Sequence, residues 1–342
     1  MNSKILFLDS AHPSLHRELE KLGCKCDLKY NLTEEEIKAS IKNYEGLVIR
    51  SKIKLTKEII DKATKLKFIA RVGAGMENID VAYAESKGVK CLHAPEGNRD
   101  AVAEHAIGML LALFNNICKA NNEVRTGEWV REENRGVELS GKTVGIIGYG
   151  NMGSAFAQRL KGFDVKILAY DKYKKNYSDD FVIETTLDTI FEEADVVSMH
   201  VPLTDETMYM VNDSFIQKFR KNIYLVNTAR GKVVKTNDLV KNMKSGKILG
   251  ACLDVLEYED ISFTSLRGSE ATEACLPDRQ AISTNKKIAF PAKKRDRNDI
   301  PEAFQYLIKS SKVILTPHIA GWTHEANEKM ARILVEKVKK LI

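Results

Sequence analysis

A glycine-rich hexapeptide is the first group of residues with the types and spacing for chemistry. Residues 148–153 read GYGNMG and fit the pattern G-x-G-x-x-G, directly after the apolar run VGII and before a segment with helical spacing. In such a turn Gly148 permits the tight bend, Gly150 lets the backbone approach a pyrophosphate, and Gly153 lets helix and strand pack closely. A helix that begins at Asn151 and Met152 offers free N–H groups to phosphate.

An acidic residue at the end of the next predicted strand completes this pattern. Asp171 lies 18 residues after Gly153. Its carboxylate can accept hydrogen bonds from the ribose 2′-hydroxyl of NAD, and its charge repels the 2′-phosphate of NADP. Lys172 and Lys174 carry the opposite charge nearby, so NADP stays open as an alternative. The whole arrangement predicts a Rossmann-type NAD site rather than a glycine turn without a ligand.

Three further polar segments follow predicted strands, which is where open α/β sheets place their ligands. NTARG follows IYLV, LDVLEYE follows GAC, and TPHIAG follows VIL. Their most reactive side chains are those of Arg230, Glu259 and His318. Taken singly, each has an ordinary interpretation as a surface ion pair, a solvated carboxylate or a packed histidine. Because they come at successive strand ends, we predict that they form one site.

The elements that must position these residues alternate in type along the chain. Strands are predicted at 4–9, 46–50, 67–72, 89–93, 143–147, 165–170, 195–200, 223–227, 248–254 and 313–316. Helical spacing is found at 13–22, 33–42, 56–65, 78–87, 99–117 and near 323–342. Such alternation predicts parallel sheets covered on both faces. We predict an α/β fold of two doubly wound domains, flavodoxin-like at 1–98 with 322–342, and Rossmann at 99–321.

Composition and cysteine usage narrow the class of protein further. The 342 residues are 44% hydrophobic and 29% charged, which describes a globular protein. The longest apolar run, 107–114, is too short to span a bilayer, and the N-terminus has no signal-peptide core. The six cysteines form no zinc pattern, so we predict no metal, reduced thiols and a cytoplasmic location. The net charge of +6 is ascribed to a lysine-rich surface and not to nucleic-acid binding.

A long polar segment interrupts the second domain at about 262–300. Its apolar residues show little periodic spacing. It ends in a basic cluster formed by Lys286, Lys287, Lys293, Lys294, Arg295 and Arg297. Loops of this length inside a domain are either functional or disordered. We predict a solvated, mostly disordered insertion, with a tail that binds an acidic partner as the alternative.

Together these segments resemble the D-isomer-specific 2-hydroxyacid dehydrogenase family, in particular its phosphoglycerate dehydrogenase branch. The resemblance covers nearly the whole chain apart from the insertion. Its matching blocks are GLVIRSKIKLT (46–56), RVGAGMENID (71–80), APEGNRDAVAEHAIGMLL (94–111), ELSGKTVGIIGYGNMG (138–153), HVPLTDET (200–207), NTARG (227–231), GACLDV (250–255) and PHIAG (317–321). The resemblance implies NAD as the cofactor, and a homodimer joined through the NAD-binding domains with the helix at 99–117 between subunits.

The resemblance also implies roles for single residues. Arg230 matches the arginine that holds the substrate carboxylate and carbonyl, and Glu259 matches the glutamate that pairs with the catalytic histidine, His318. Glu257 is a neighbouring carboxylate that can be confused with Glu259. The positions that match the cofactor cleft of the family also include His200, Pro202, Thr228 and Asp254. The loop of Gly73, Ala74 and Gly75 matches the loop whose N–H groups bind the substrate carboxylate. Arg50 and Ser51 match positions that contact a substrate phosphate.

The chemistry of a hydroxy acid agrees with these roles. Oxidation at C2 needs a base for the hydroxyl proton, and an imidazole titrates near the working pH. Because Arg50 and Ser51 match phosphate positions of the phosphoglycerate dehydrogenase branch, the resemblance implies 3-phosphoglycerate with 3-phosphohydroxypyruvate, the pair of serine biosynthesis, as the first choice of substrate. Lys54 and Arg71 add positive charge close by in the sequence.

Three other interpretations stay open at this point. They are a hydroxypyruvate or glyoxylate reductase of the same family, a non-catalytic NAD-binding regulator, and an enzyme whose site the insertion impairs. His93 and His105 are ascribed to packing. Because no residues follow 342, we do not expect feedback control through a C-terminal module.

Overall fold

The computed structural model of the protein describes residues 3–259 and 301–342, and two parallel sheets organise this part of the chain. The strands of the first sheet are β1 (Lys4–Phe7), β2 (Lys25–Leu28), β3 (Gly46–Ile49), β4 (Phe68–Arg71) and β5 (Lys90–His93). They pair in the order β2-β1-β3-β4-β5, which is the flavodoxin order. The helices between them are α1 (Pro13–Lys21), α2 (Glu34–Ser40), α3 (Lys57–Lys62) and α4 (Val81–Ser86).

The second sheet has seven strands in the Rossmann order. They are β6 (Thr143–Ile147), β7 (Lys166–Tyr170), β8 (Val182–Glu184), β9 (Val196–Met199), β10 (Ile223–Asn227), β11 (Ile248–Leu253) and β12 (Val313–Leu315). Their order in space is β12-β11-β10-β9-β6-β7-β8, with a switch point between β6 and β9. The remaining helices are α5 (Pro95–Phe114), α6 (Ile117–Arg125), α7 (Asn151–Leu160), α8 (Leu187–Glu193), α9 (Asp213–Gln217), α10 (Thr236–Lys244), α11 (Glu302–Lys309) and α12 (His324–Lys339). The predicted fold class is confirmed.

Two helices connect the sheets. α12 buries Met330, Leu334 and Val338 in the core of the first sheet, whereas α5 buries most of its apolar residues against the second. The two helices also pack against each other, and Lys337 of α12 pairs with Glu96 of α5 at 3.0 Å. The chain therefore returns to the first sheet at its C-terminal end, and α12 connects the His318 segment to that sheet. The domain bounds at 98 and 321 stay a prediction.

Several elements differ from the prediction. The strands β2 and β8 were not predicted, because they are short edge strands with few buried side chains. The predicted helix 99–117 instead begins at Pro95, a residue that suits the first turn, and ends at Phe114. Asn116 then takes a left-handed conformation and starts α6, a helix without buried residues. The predicted insertion at 262–300 lies outside the described residues.

No single helix of 3–259 and 301–342 is long and apolar enough to cross a membrane, and only the pair α5 and α6, bent by 61°, passes that test jointly by length and composition.

Candidate active site

A cavity of about 670 Å³ lies between the two sheets, at the carboxyl ends of their strands. Residues that follow β3, β4, β9, β10, β11 and β12 line it. The cavity brings together most of the predicted site residues, namely Arg50, Ser51, Gly73, Ala74, Gly75, Asn151, Met152, His200, Pro202, Thr228, Arg230, Asp254 and His318. The other four, which do not line it, are Gly148, Gly150, Asp171 and Glu259.

The predicted histidine and glutamate form a pair at this cavity. Nδ1 of His318 lies 2.8 Å from Oε2 of Glu259, and the other oxygen of Glu259 accepts a hydrogen bond from the backbone N–H of Leu256 at 2.7 Å. The hydrogen bond that Glu259 accepts from the ring raises the pKa of His318, against the opposing effect of burial. Glu257 is separate, because its carboxylate accepts the N–H of Thr236 at 2.9 Å. The imidazole can therefore hold or release a proton at Nε2 while Glu259 fixes the ring.

A buried carboxylate holds the segment that carries His318. Asp254 is 2% exposed, and its oxygens accept hydrogen bonds from Thr316 Oγ1 at 2.6 Å and from the backbone N–H groups of Ile319 and Ala320 at 2.9 and 3.0 Å. Its backbone oxygen accepts the N–H of His318, which has φ of 55°, a value uncommon outside glycine. Asp254, predicted as a cofactor residue, thus anchors the turn that carries His318.

Two histidines ascribed to packing by the sequence analysis instead make polar contacts at the site. Nε2 of His105 lies 3.0 Å from Thr316 Oγ1, next to the Asp254 carboxylate. Nδ1 of His93 lies 2.6 Å from the backbone oxygen of Ala74 and so supports the loop 73–75. The sequence contained no signal for these contacts, because the partners are distant along the chain.

Arg230 crosses the cavity to the first sheet. Its Nε donates to Glu77 Oε1 at 2.5 Å and its Nη1 to the backbone oxygen of Ala229 at 2.6 Å. A Cβ at Gly75 would lie 2.0 Å from Arg230 Nη2, so the guanidinium rests against the backbone of that loop. Burial acts to raise the pKa of Glu77, but the charge and hydrogen bond of Arg230 outweigh burial and lower it. Nη2 of Arg230 and the loop 73–75 lie side by side, so both can bind the same carboxylate.

Two more arginines belong to the same cavity. The guanidinium carbon of Arg50 lies 4.0 Å from the ring centroid of Trp322, and Nε of Arg71 donates to the backbone oxygen of Arg50 at 3.2 Å. A Cβ at Gly73 would meet Arg71 Nη1 at 1.8 Å, so this guanidinium also lies against the loop 73–75. Arg71 is within electrostatic range of both Arg50 and Arg230. The cavity is therefore strongly cationic on the side of the first sheet.

The glycine-rich turn lies at the switch point of the second sheet. Gly148 has φ of 95°, and a Cβ at Gly153 would meet the backbone oxygen of Gly148 at 2.0 Å. Space around Gly150 is open, so a ligand can approach its backbone at the start of α7. Asp171 ends β7, and its oxygens accept the backbone N–H groups of Tyr149, Tyr173 and Lys174 at 2.8–2.9 Å.

Comparison with known proteins agrees with this geometry. Residues 107–320 match the model of the D-isomer specific 2-hydroxyacid dehydrogenase NAD-binding domain, which is more than half of the chain. The chain belongs to the D-isomer specific 2-hydroxyacid dehydrogenase family. The predicted family and the NAD cofactor are confirmed.

Named relatives of this dehydrogenase family differ in their substrates. The chain is 34% identical over 342 residues to D-3-phosphoglycerate dehydrogenase of Methanocaldococcus jannaschii, which covers 99% of this chain but only 57% of the relative. It is 35% identical over 311 residues to hydroxypyruvate reductase of Thermotoga maritima, covering 91% of this chain and 89% of the relative. The solved D-lactate dehydrogenase of Aquifex aeolicus with NAD and lactic acid is 30% identical, with a TM-score of 0.75, covering 98% of this chain and 94% of that one.

The residues that line the cavity fit NAD. His200 Nδ1 and Thr228 Oγ1 are buried and lack a hydrogen-bond partner among the described residues, and both side chains belong to cavity-lining residues. Burial lowers the pKa of His200 to about 3, so the ring is neutral and its Nε2 pairs with Ser198 Oγ at 2.8 Å. Buried polar atoms of this kind usually have a partner, and a cofactor bound in the cavity would be placed to supply one.

Asp171 is suited to the ribose of the adenosine half. Burial acts to raise the pKa of Asp171, but the three backbone hydrogen bonds outweigh it and lower the value, so the carboxylate is charged at neutral pH. A charged acceptor at the end of β7 favours two ribose hydroxyls over a 2′-phosphate. Within 3–259 and 301–342, no group of three His, Cys, Asp or Glu side chains is arranged to hold a metal ion.

The sequence analysis missed several cavity residues. Glu77 and Trp322 were not singled out, and Arg71 was noted only for its charge. Asn98 also lines the cavity, with its Oδ1 buried and unpaired among the described residues. Arg71, Glu77 and Asn98 lie in blocks that resemble the family and Trp322 directly follows one, which was a signal for proximity, but their contacts join segments that are remote in sequence.

Proposed function

We propose that this chain is an NAD-dependent dehydrogenase of a D-2-hydroxy acid and its 2-keto acid, with 3-phosphoglycerate and 3-phosphohydroxypyruvate as the substrate pair. The observation that carries the proposal is the shared cavity of His318, Arg230 and two further arginines, Arg50 and Arg71. A substrate with a carboxylate at one end and a phosphate at the other matches this distribution of positive charge.

The side chains have distinct tasks in this proposal. Arg230 and the N–H groups of the loop 73–75 bind the carboxylate of the substrate, and the planar guanidinium also stabilises negative charge on the reacting oxygen. His318 accepts the proton of the C2 hydroxyl during oxidation and donates a proton to the keto oxygen during reduction. When bound, the nicotinamide takes up or supplies the hydride. Glu259 keeps the imidazole in one orientation and stabilises its charged form.

Arg50, Ser51 and Arg71 bind the phosphate in this proposal. Two guanidinium groups provide donors in planar forks that suit phosphate oxygens. The relative named D-3-phosphoglycerate dehydrogenase supports this substrate, although the chain spans 57% of its length. The relative named hydroxypyruvate reductase supports the second candidate, reduction of small unphosphorylated keto acids such as hydroxypyruvate and glyoxylate.

A substrate panel tests the proposal directly. NADH oxidation by the purified protein is measured with 3-phosphohydroxypyruvate, hydroxypyruvate, glyoxylate and pyruvate. We expect the highest kcat/KM with the phosphorylated acid. A preference for the small acids would replace the proposal by the second candidate. Absence of turnover with all four acids, with NADH binding retained, would favour the non-catalytic regulator or the impaired enzyme.

A variant of the catalytic histidine separates binding from turnover. His318→Ala should lower kcat by about 10²- to 10⁴-fold, because general acid–base catalysis contributes that much. NADH affinity, measured by fluorescence titration, should change little. Unchanged turnover would contradict the assignment of His318.

We also propose that the chain acts as a homodimer through the NAD-binding domain. The support is the apolar surface of α6 and the loop after it, where Ile117 and Val124 are each 53% exposed and Trp129 is 79% exposed. Light scattering after gel filtration should give twice the mass of 38.5 kDa, and a stable monomer at micromolar concentration would contradict the proposal. The cytoplasmic location stays a prediction.

A further inference from the structure

Trp322 links the segment of the catalytic histidine to the opposite side of the cavity. It follows His318 by four residues and precedes α12. Its backbone N–H donates to the oxygen of Ile319 at 2.8 Å, so it belongs to the turn that Asp254 anchors. Its ring, although 63% exposed, covers the guanidinium of Arg50, which comes from the end of β3 in the first sheet. The contact therefore joins the two sheets at the cavity.

Within the described residues 3–259 and 301–342, the charge of Arg50 has no other strong partner. Asp9 is the nearest candidate, but its carboxylate accepts the backbone N–H of Arg50 at 2.6 Å and makes no ion pair with the guanidinium. Among residues 3–259 and 301–342, no carboxylate lies within 4.0 Å of the Arg50 side-chain nitrogens, whereas Arg230 has Glu77. In the described part of the chain, the aromatic face of Trp322 is thus the one side-chain contact of the Arg50 guanidinium.

This mode of contact leaves the donors of Arg50 available. A cation–π contact occupies the flat face of a guanidinium, whereas anions bind in its plane through the N–H groups at its edge. An ion pair with a carboxylate would consume those donors. Trp322 can thus restrict the orientation of Arg50 without competing with a phosphate, and it removes part of the entropy cost that the phosphate would otherwise meet on binding.

We propose that Trp322 is a specificity-determining residue, which holds Arg50 so that the site prefers keto acids with a distal phosphate. This inference rests on the proposed function, because Arg50 is the phosphate ligand there. The contact is made with substrate bound in the ground state and in the transition state alike. Its loss should therefore raise KM and leave kcat nearly unchanged.

The experiment compares three variants with 3-phosphohydroxypyruvate and with hydroxypyruvate, in the full chain with NADH. Trp322→Ala removes the ring, Trp322→Phe keeps an aromatic face, and Ile319→Ala is the matched control. Ile319 lies in the same turn, is 39% exposed and does not line the cavity. We expect Trp322→Ala to raise KM for the phosphorylated acid by about 3- to 30-fold, which is the range of a cation–π contact. KM for hydroxypyruvate should change less than twofold or so, and Trp322→Phe should recover most of the loss.

An equal loss with both acids would overturn the inference, because it would show that Trp322 only stabilises the turn of His318. The same effect in Ile319→Ala, or no recovery by Trp322→Phe, would overturn it as well.

A second measurement keeps the inference testable if the wild type does not prefer the phosphorylated acid, in which case the proposed substrate fails. Inorganic phosphate is then titrated as an inhibitor of hydroxypyruvate reduction. Competitive inhibition that Trp322→Ala weakens by about the same factor would support the role of Trp322 at an anion subsite. Absence of inhibition in the wild type, or inhibition that the variant does not weaken, would overturn the inference.

Discussion

Replacement of Glu259 by glutamine tests the central pair of the site. The change keeps the size of the side chain and removes its charge, so the hydrogen bond of 2.8 Å to His318 no longer stabilises an imidazolium. Hydrogen bonds to charged groups contribute about 1.5–3 kcal/mol. The side chains of His318 and Glu259 are 51% and 33% exposed, and solvent screening places the loss near the lower end. About 1.5 kcal/mol corresponds to about a tenfold loss in kcat/KM for reduction at neutral pH.

The same variant should shift the pH dependence of kcat/KM in a direction that follows from the pKa of His318. Glu259 raises the pKa of His318, so Glu259→Gln should lower that pKa. Reduction of a keto acid needs the charged imidazole, which is present below its pKa and lost as the pH rises through it. The alkaline limb of kcat/KM for reduction should therefore move to lower pH in the variant. Oxidation needs the neutral imidazole, so its acidic limb should move to lower pH too.

Steady-state profiles in both directions, with saturating cofactor, measure these limbs. The matched control is Glu257→Gln, since Glu257 lies two residues away and contacts Thr236 instead of His318. Its profiles should coincide with those of the wild type. If both limbs stay in place in Glu259→Gln, or if both variants shift them equally, the pairing of Glu259 with His318 does not control the proton.

Four further substitutions test other parts of the site. Gly150→Ala should weaken NADH binding by about tenfold or more with little change in Tm. Gly153→Ala should lower both the NADH affinity and Tm, because only a Cβ at position 153 meets the backbone, at 2.0 Å from the oxygen of Gly148. Isothermal titration measures the affinity and thermal unfolding measures Tm, and equal changes in Tm for the two variants would contradict the reasoning. Asp171→Ser should raise kcat/KM with NADPH relative to NADH, since the charge that repels a 2′-phosphate is gone, and an unchanged cofactor ratio would argue against Asp171 as the ribose ligand. Glu77→Gln should raise KM for every keto acid in the panel by about tenfold, since Arg230 loses a charged hydrogen bond that positions it and contributes about 1.5 kcal/mol in this partly exposed pair; a change in kcat alone would contradict this role.

The sequence by itself determined the fold class and the position of the chemistry along the chain. The alternation of apolar runs and helical spacing specifies parallel sheets, because each periodicity depends only on neighbouring residues. The glycine turn before α7 and the polar residues at strand ends were found for the same reason. Short edge strands such as β2 and β8 escaped detection, because too few of their residues are buried to produce a pattern.

The tertiary structure alone decided which side chains meet. It distinguished Glu259 from Glu257 as the partner of His318, and it joined Arg230 to Glu77, 153 residues away. It also placed Trp322 over the guanidinium of Arg50. The contacts of Arg230 with Glu77 and of Trp322 with Arg50 cross from one sheet to the other, and no local periodicity records them. They depend on the way α5 and α12 fasten the two sheets around one cavity, which is a property of packing between distant segments and not of their spacing in the chain.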